Sequence, residues 1–205
     1  MFGPRINAVG RLGEAAPGVD MFLTENPNHA LAMANMLNEK NKERQAIVKQ
    51  ITDEAMEQLE LFPPLDGASV IVVGKIGWNP GVLGIVASKL VEKYYRPAIV
   101  LGFDEDKKIA KGSARSIEGF HMYKELAKNQ DIVSHFGGHP MAAGMTLPLE
   151  NVEEFRLRLN EQAKVSLSED QLIPTISIDV PLEMDEISTE SIESLKKLAP
   201  FGMGF

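Results

Sequence analysis

The strongest constraint on the fold is a strand–helix–strand pattern in the middle of the chain. "ASVIVVGK" (68–75) and "RPAIVLG" (96–102) are short, apolar and rich in β-branched residues, which is typical of buried strands. "GVLGIVASKLVEKYY" (81–95), between them, has apolar residues at helical spacing. The pattern predicts a βαβ unit, in which the two strands are parallel and joined by a right-handed crossover.

The segments around this unit predict an α/β chain. A long helix is expected from Pro27, capped by Asn26 and ended by Pro63 and Pro64, and its polar centre "NEKNKERQ" favours a helix that bridges two bodies through solvent. The first 20 residues are rich in Gly and Pro and predict a loop with at most short helices. Further on, strands are predicted in "KIAKGSARS", "MAAGMTL" and "TISIDVPL", and helices in "GFHMYKELAKNQ", "LENVEEFRLRLNEQAKVSL" and "STESIESLKKLAPFGMGF".

Composition limits the classes of function. The 205 residues include no cysteine, which excludes disulfides and thiolate metal sites, and no apolar run approaches the length that crosses a bilayer. Without a signal peptide, the expected compartment is the cytoplasm. The net charge of -8 argues weakly against nucleic acid, but residues 63–148 hold 10 Lys or Arg against 8 Asp or Glu, whereas residues 149–205 hold 5 against 12.

The positive middle block contains the candidate anion-binding residues. Lys107, Lys108, Lys111 and Arg115 follow one another with no acid between them, so a phosphate would be steered here, although a solvated strand end has the same composition. Ser113 and Arg115 share a face if "KGSARS" is a strand, and together they would grip a phosphate. The alternative is a surface arginine paired with an acid.

Two glycine-rich segments are further candidates. In "HFGGHPMAAG", Gly137 and Gly138 disfavour a helix and predict a loop, which argues against His135 and His139 as metal partners at helical spacing. His139 would instead donate to an anionic oxygen, or else hydrogen-bond into the core. "GKIGWNPGVLG" predicts a turn into a helix whose free N–H groups could hold an anion, or a turn in which Trp78 simply covers the core.

Four segments together resemble the RecJ exonucleases of the DHH phosphoesterase superfamily. They are, in chain order, "GPRINAVGRL", "GWNPGVLGIVASKL", "GSARS" and "FGGHPMAAGMTL". The resemblance covers about residues 2–205, and the ordered set is specific where one motif alone would not be. The closing "LAPFGMGF" also resembles the RecJ segment that leads into an OB-fold domain.

The resemblance implies a domain layout. Residues 1–21 would be the end of the DHH catalytic region, as a loop segment, and residues 22–64 a long connecting helix. Residues 65–180 would be the DHH-associated, substrate-binding domain, with a mixed β-sheet and flanking helices. Residues 181–205 would be a helix and the start of a linker to a following OB-fold domain.

The resemblance also implies a division of labour. In the family, two Mn or Mg ions on aspartates and histidines of the DHH domain activate water against a phosphodiester, in the 5′ to 3′ direction. This sequence has no Asp-His-His. The chain is therefore expected to grip single-stranded DNA opposite those metals, to bind no metal itself and to be inactive alone.

The same resemblance assigns residues. Ser113 and Arg115 match a Ser-Gly-Arg that binds 5′-end phosphates, with Ala114 where Gly is expected and where a methyl group could crowd the site. Either Arg5 or Arg11 matches an arginine that reaches the DNA end, and His139 matches a histidine that faces and supports the active site. The predicted substrate-binding set is Arg5, Arg11, Ser113, Arg115, Ser116, Gly137, Gly138 and His139.

The expected partners are single-stranded DNA, the DHH and OB-fold domains of the same chain and other proteins of DNA repair and recombination, with no membrane. Two alternatives remain open at this point. One is a DHH phosphodiesterase that acts on short oligonucleotides or cyclic dinucleotides. The other is a non-catalytic nucleic-acid-binding module.

Overall fold

The computed structural model describes residues 2–61, 69–176, 178–184 and 186–202. Its contacts divide the chain into two units, one up to Ile173 and one from Pro174 onward. Pro63 and Pro64, which were predicted to end the long helix, lie outside the described residues.

The first unit begins with three helices: α1 (Gly3–Leu12), α2 (Ala16–Leu23) and α3 (Pro27–Leu61). The prediction of a loop segment over residues 1–21 is therefore wrong. Pro4 and Pro17 each lie in the first turn of a helix, where the missing N–H has no intrahelical partner in any case. The prolines therefore begin these helices, and both helices pack on α3.

Helix α3 starts as the sequence predicts. The Asn26 side-chain oxygen accepts hydrogen bonds from the backbone N–H groups of Asn28 and His29, at 3.0 and 3.3 Å. Three ion pairs lie on its exposed surface, Lys40–Glu43, Lys42–Glu39 and Lys49–Asp53. Farther along, Val48, Ile51 and Ala55 are buried in the core of the sheet unit. The helix thus connects α1 and α2 to the sheet. It begins at Pro27 rather than at residue 22, and its described part runs to Leu61.

A five-stranded mixed sheet forms the centre of the unit. Its strands are β1 (Ile71–Ile76), β2 (Ala98–Asp104), β3 (Ile109–Arg115), β4 (His135–His139) and β5 (Ala142–Pro148). The order across the sheet is β1-β2-β3-β5-β4. Strands β1 and β2 are parallel and connected by α4 (Leu83–Tyr94), which confirms the predicted βαβ unit, and the other pairs are antiparallel.

Helices cover both faces of the sheet, but not to the same extent. On one face, α5 (Met122–Ala127) and α6 (Val152–Ser166) enclose a core with alternate strand residues such as Val72 and Ile99. On the opposite face, α4 and α3 pack on the intervening residues, such as Val73 and Val100. Helix α6 buries the four residues that its periodicity predicts, Val152, Phe155, Leu159 and Ala163.

The segment His135–His139 is an edge strand, not the predicted loop. The two glycines do disfavour a helix, but an edge strand needs backbone hydrogen bonds on one side only, and β5 supplies them. Gly138 has φ = +155°, and a side chain there would overlap the backbone of Ala142 and Ala143. His139 precedes Pro140, which favours extended backbone. A two-residue turn, Pro140–Met141, then joins β4 to β5.

The second unit contains one helix, α7 (Thr189–Lys196), among its described residues. Ser188 caps this helix, in a reciprocal pair with Ser191. The strand predicted over residues 175–182 is wrong for the described part of that range, because no neighbouring strand pairs with it. Its alternating apolar side chains are consequently exposed, and they are Ile176, Ile178, Val180 and Leu182. None of the described helices has the combination of length and apolar character needed to span a bilayer.

The two leucines of α6 give a matched test of the core. Leu159 is completely buried and Leu157 is 59% exposed on the same helix. We expect Leu159→Ala to lower the free energy of unfolding by about 2–5 kcal/mol, because it leaves a cavity beneath the sheet. Leu157→Ala should change it by less than about 0.5 kcal/mol. Urea unfolding of both variants measures the difference, and equal effects would contradict this packing.

Candidate functional site

The antiparallel register places the candidate residues on one face of the sheet. Arg115 pairs with Ala142, and Ala142 pairs with His139. Residues directly opposite each other in paired strands point to the same side, so Arg115 and His139 share a face. The next rows on that face are Ser113–Gly144–Gly137 and Lys111–Thr146–His135. We call these the Arg115 row, the Ser113 row and the Lys111 row, and the surface that they form the open sheet face.

This surface is the part of the sheet that α4 leaves uncovered. Helix α4 packs on β2 and β3, whereas the positions farther out carry no covering side chains. Apart from its chain neighbours, no described residue has an atom within 4 Å of where a side chain would start at Gly137. The nearest such atom at Gly144 is a backbone oxygen at 3.9 Å. His135, Gly137, His139 and Gly144 are all exposed. The result is a shallow surface with a glycine floor and polar side chains around it.

Arg115 lies at the inner border of this surface, beside the start of α4. Its guanidinium donates to the carbonyl oxygen of Ala114 at 2.7 Å and lies 3.4 Å from the Ser113 hydroxyl. Partial burial, and to a smaller extent the positive charge of Arg11, lower the pKa of Arg115 from its usual value. Within the described ranges no carboxylate forms an ion pair with Arg115, so the predicted alternative of an arginine paired with an acid does not apply.

Arg11 reaches the same place from α1. Its guanidinium donates to the carbonyl oxygen of Gly81 at 3.1 Å, in the turn that leads into α4. Both guanidinium groups therefore lie beside the start of α4, Arg11 at Gly81 and Arg115 at Gly84, and the charge of Arg11 contributes to the lowered pKa of Arg115. Arg5, by contrast, donates from Nε to the Asn38 side chain on α3 at 3.0 Å. Of the two arginines that the sequence left undecided, Arg11 is therefore the one that the fold brings to Arg115.

Gly84 permits this arrangement, and the sequence analysis did not single it out as a site residue. A Cβ at this position would lie 2.9 Å from both the Arg115 guanidinium and the Ser113 hydroxyl. No side chain caps the helix at Val82, and Gly84 belongs to the first turn of α4, so the helix start lies beside Ser113 and Arg115. The side-chain oxygen of Asn79 accepts from the Gly81 N–H at 2.9 Å and orders the turn.

The two histidines stand at opposite ends of β4. Four residues of strand span about 13 Å, so His135 and His139 cannot share one metal ion. In the described ranges no three His, Asp or Glu side chains group in a way that could hold a metal. The His139 side chain is exposed, and its imidazole makes no hydrogen bond to the described residues, so it is not hydrogen-bonded into the core as the alternative prediction required.

Two neighbours of Arg115 point the other way. Ala114 is fully buried in the core on the α5–α6 face, so its methyl group does not crowd the Ser113 and Arg115 side chains, contrary to the expectation from the sequence. Ser116 is also buried, and its hydroxyl donates to the carbonyl oxygen of Phe120. The prediction that Ser116 binds substrate at the surface is therefore wrong. Alternate residues of the chain face opposite sides of the sheet, and Ser116 faces the core.

Trp78 anchors the turn before α4. It is buried, and its indole N–H donates to the Glu54 carboxylate on α3 at 2.8 Å. Lys75 and Gln50 donate to the same carboxylate at 3.0 and 2.9 Å. The hydrogen bond from Trp78, followed by those from Gln50 and Lys75, lowers the pKa of Glu54 to about 2. Trp78 thus covers the core and holds the turn that carries Gly81 against Arg11.

Comparisons with known proteins agree on one family. Residues 67–165 match the family model of the DHHA1 domain. The chain is 52% identical over 200 residues to the single-stranded-DNA-specific exonuclease RecJ of Bacillus subtilis (strain 168), in a match that covers 98% of this chain and 25% of that protein. It is 33% identical over 212 residues to RecJ of Escherichia coli (strain K12), covering 99% and 36%. The chain thus spans about a quarter to a third of the length of these curated relatives.

A solved structure shows the same architecture. The crystal structure of RecJ in complex with Mn²⁺ from Thermus thermophilus superposes with a TM-score of 0.81 at 27% identity, and the match covers 98% of this chain and 29% of that one. A second crystal structure of that protein, in complex with Mg²⁺, gives a TM-score of 0.72 at 30% identity over 80% of this chain and 25% of that one. The mixed sheet, its flanking helices and the long helix are therefore shared with these structures.

The Trp78–Glu54 contact predicts a pH dependence of stability. Because the pKa of Glu54 is lower in the folded state than its usual 4.5, its contribution is complete above pH 4.5 and is lost as the pH falls toward 2. Trp78→Phe should raise the pKa of Glu54 toward 4.5 and remove a hydrogen bond to a charged group, worth about 1.5–3 kcal/mol, at neutral pH. Carboxyl ¹³C NMR measures the pKa, and unfolding at several pH values measures the stability.

Glu54→Gln is the companion variant, and Glu57→Gln, on the exposed side of the same helix, is the control. The stability deficit of Glu54→Gln should shrink as the pH falls below 4.5, whereas Glu57→Gln should follow the unmodified protein. A deficit of Glu54→Gln that is constant with pH would show that the carboxylate is not held as described.

Proposed function

Because this chain contains a DHHA1 domain and is homologous to a segment of the RecJ exonucleases, we propose that it is the substrate-binding part of a 5′ to 3′ single-stranded-DNA exonuclease of DNA repair and recombination. The observation that carries the proposal is the convergence of Arg11, Ser113 and Arg115 at the start of α4, on the same open sheet face as His139. The relatives' printed names supply the substrate class and the reaction.

The two arginines suit a terminal phosphate. Arg115 is partly buried and lies beside the same turn as Arg11, and neither arginine forms an ion pair with a carboxylate among the described residues. A phosphate placed between them offsets both the desolvation and the repulsion. The Arg fork gives two charged hydrogen bonds, the Ser113 hydroxyl adds a donor, and the helix start adds a partial positive charge. A terminal phosphate has enough charge and acceptor oxygens to use all of these donors, and in the proposal it is the 5′-phosphate of the strand.

His139 lies on the edge strand β4, at the end of the Arg115 row away from Arg115. It shares that row with Arg115, with Ala142 between them, and its side chain is exposed on the same face. We propose that His139 supports the reaction by donating a hydrogen bond to an oxygen of the phosphate that reacts nearby. Gly137 leaves the surface beside it open, so that a nucleotide backbone can approach the strand closely.

The metals that the family uses do not fit the described part of this chain. No group of His, Asp and Glu in those ranges could hold an ion. In the proposal Mn²⁺ or Mg²⁺ is bound by a catalytic domain of the longer protein, where it activates water. The residues described above hold and orient the strand for that domain.

Arg115→Ala, made in the longer protein that carries the catalytic domain, tests the phosphate grip. Losing hydrogen bonds to a charged group costs about 1.5–3 kcal/mol each, so affinity for a 5′-phosphorylated single strand should fall about tenfold to a hundredfold. Affinity for the same strand with a 5′-hydroxyl should fall far less. Arg115→Lys should restore part of the affinity, because it keeps the charge but not the fork. Fluorescence anisotropy without divalent cations measures both strands.

Arg156→Ala is the matched control, because this arginine lies on α6, which packs on the opposite face of the sheet. It should bind both strands like the unmodified protein. If Arg115→Ala and Arg156→Ala bind phosphorylated and unphosphorylated ends alike, the proposed phosphate site is wrong.

The 205-residue chain alone tests whether these residues bind DNA without hydrolysing it. With Mn²⁺ or Mg²⁺ it should release no nucleotides from single-stranded DNA, whereas the longer protein with its catalytic domain should release them. Acid-soluble radiolabel measures the release. Metal-dependent hydrolysis by the shorter chain would place the reaction, and not only the grip, within these residues.

A further inference from the structure

The Lys111 row extends the open sheet face beyond the site just described. Lys111, Thr146 and His135 are directly opposite one another across β3, β5 and β4, and their side chains point to the same side as Arg115. Within the described ranges none of the three side chains makes a hydrogen bond or an ion pair. Each side chain can donate a hydrogen bond to an anion, and none of them is hydrogen-bonded to a residue of the described core.

A continuous groove leads to this row. A cavity of about 510 Å³ follows the outer strands and is lined by Pro80, Lys111, Gly112, His135, Phe136, Gly137, Gly144, Met145 and Thr146. Its middle section is the glycine floor of the Ser113 row, where no side chain stands in the way. The groove therefore leads from the Lys111 row onto the glycine floor, and the Arg115 row is the next row along the same face.

The spacing of the rows suits a nucleic-acid backbone. Successive rows on one face of a strand are about 7 Å apart, so the Arg115 and Lys111 rows are separated by about 13 Å. One row spacing is close to one nucleotide step of an extended single strand. A phosphate held by Arg115 therefore places the next one over the glycine floor and the third beside Lys111.

Negatively charged residues beyond Lys111 limit the length of DNA that this face can bind. Asp104, Glu105 and Asp106 line the adjoining cavity on the far side of Lys111. Lys107 contacts the Asp104 carboxylate at 2.8 Å, and this contact, more than the charge of Lys111, lowers the pKa of Asp104. These carboxylates repel a fourth phosphate, so the strand must leave the sheet at this point.

We propose that Lys111, Thr146 and His135 form a second phosphate subsite, which binds the third phosphate of a single strand whose terminal phosphate is held by Arg115. The inference rests on the proposed function, because it takes the position of the terminal phosphate from that site. Lys111 supplies the charge, and Thr146 and His135 supply flanking donors. Phe136, an aromatic residue that lines the groove, packs against the core on the opposite face, so the subsite contacts the backbone and is indifferent to the base.

Lys111→Gln in the longer protein tests the subsite, and Lys164→Gln, an exposed lysine of α6 on the other side of the sheet, is the matched control. Binding of 5′-phosphorylated di- and tetranucleotides is measured without divalent cations. Lys111→Gln should weaken the tetranucleotide about threefold to tenfold and lower its salt slope by about 0.7, as for one lost phosphate contact. The dinucleotide, which does not reach the row, should bind as before.

A tetranucleotide with one uncharged methylphosphonate locates the contact. When the third phosphate is the neutral one, Lys111→Gln should have no further effect, whereas a neutral fourth phosphate should leave its effect intact. If Lys111→Gln weakens the dinucleotide equally, or matches Lys164→Gln on every strand, the subsite is wrong. Arg115→Ala separates the two proposals, since a loss for Arg115→Ala without one for Lys111→Gln overturns only the subsite.

Discussion

The antiparallel register of β3, β5 and β4 puts Arg115 opposite Ala142 and Ala142 opposite His139, and the rows of the open sheet face follow from that alignment. A shift of one residue would turn Ser113 and Arg115 into the core and bring Ala114 to the surface. The core prevents such a shift, because Ala110 and Ala114 of β3 are buried among the large side chains of α5 and α6. Packing on one face of the sheet thus fixes the chemistry of the other.

The unequal cover of the sheet is the second constraint. Helix α4, held by the parallel crossover between β1 and β2, packs on β2 and β3. The outer strands stay open on that side, while α5 and α6 complete the core beneath them. A half-covered sheet offers extended backbone, small residues and side chains in regular rows, which is a surface that a linear, charged polymer can follow.

The site is built from elements that are distant in the chain. Arg11 comes from α1, Gly81 and Gly84 from the turn and helix after β1, and Arg115 from β3. Helix α3 connects them, since α1 packs on its first half and the Trp78–Glu54 hydrogen bond ties its second half to the turn before α4. Two neighbouring cations without a carboxylate partner among the described residues are held in place by this framework, and a bound phosphate would relieve their repulsion.

The sequence by itself determined the features that depend on local periodicity and on the residues that cap helices. The βαβ unit, the Asn26 cap, the buried stripe of α6 and the shared face of Ser113 and Arg115 all follow from spacings within a few residues. Tertiary structure alone decided that Arg11 rather than Arg5 meets Arg115, that His135–His139 pairs as an edge strand, and that Ser116 turns into the core. It also left the described part of residues 175–182 without a strand partner, because an alternating pattern forms a strand only where another backbone accepts its hydrogen bonds.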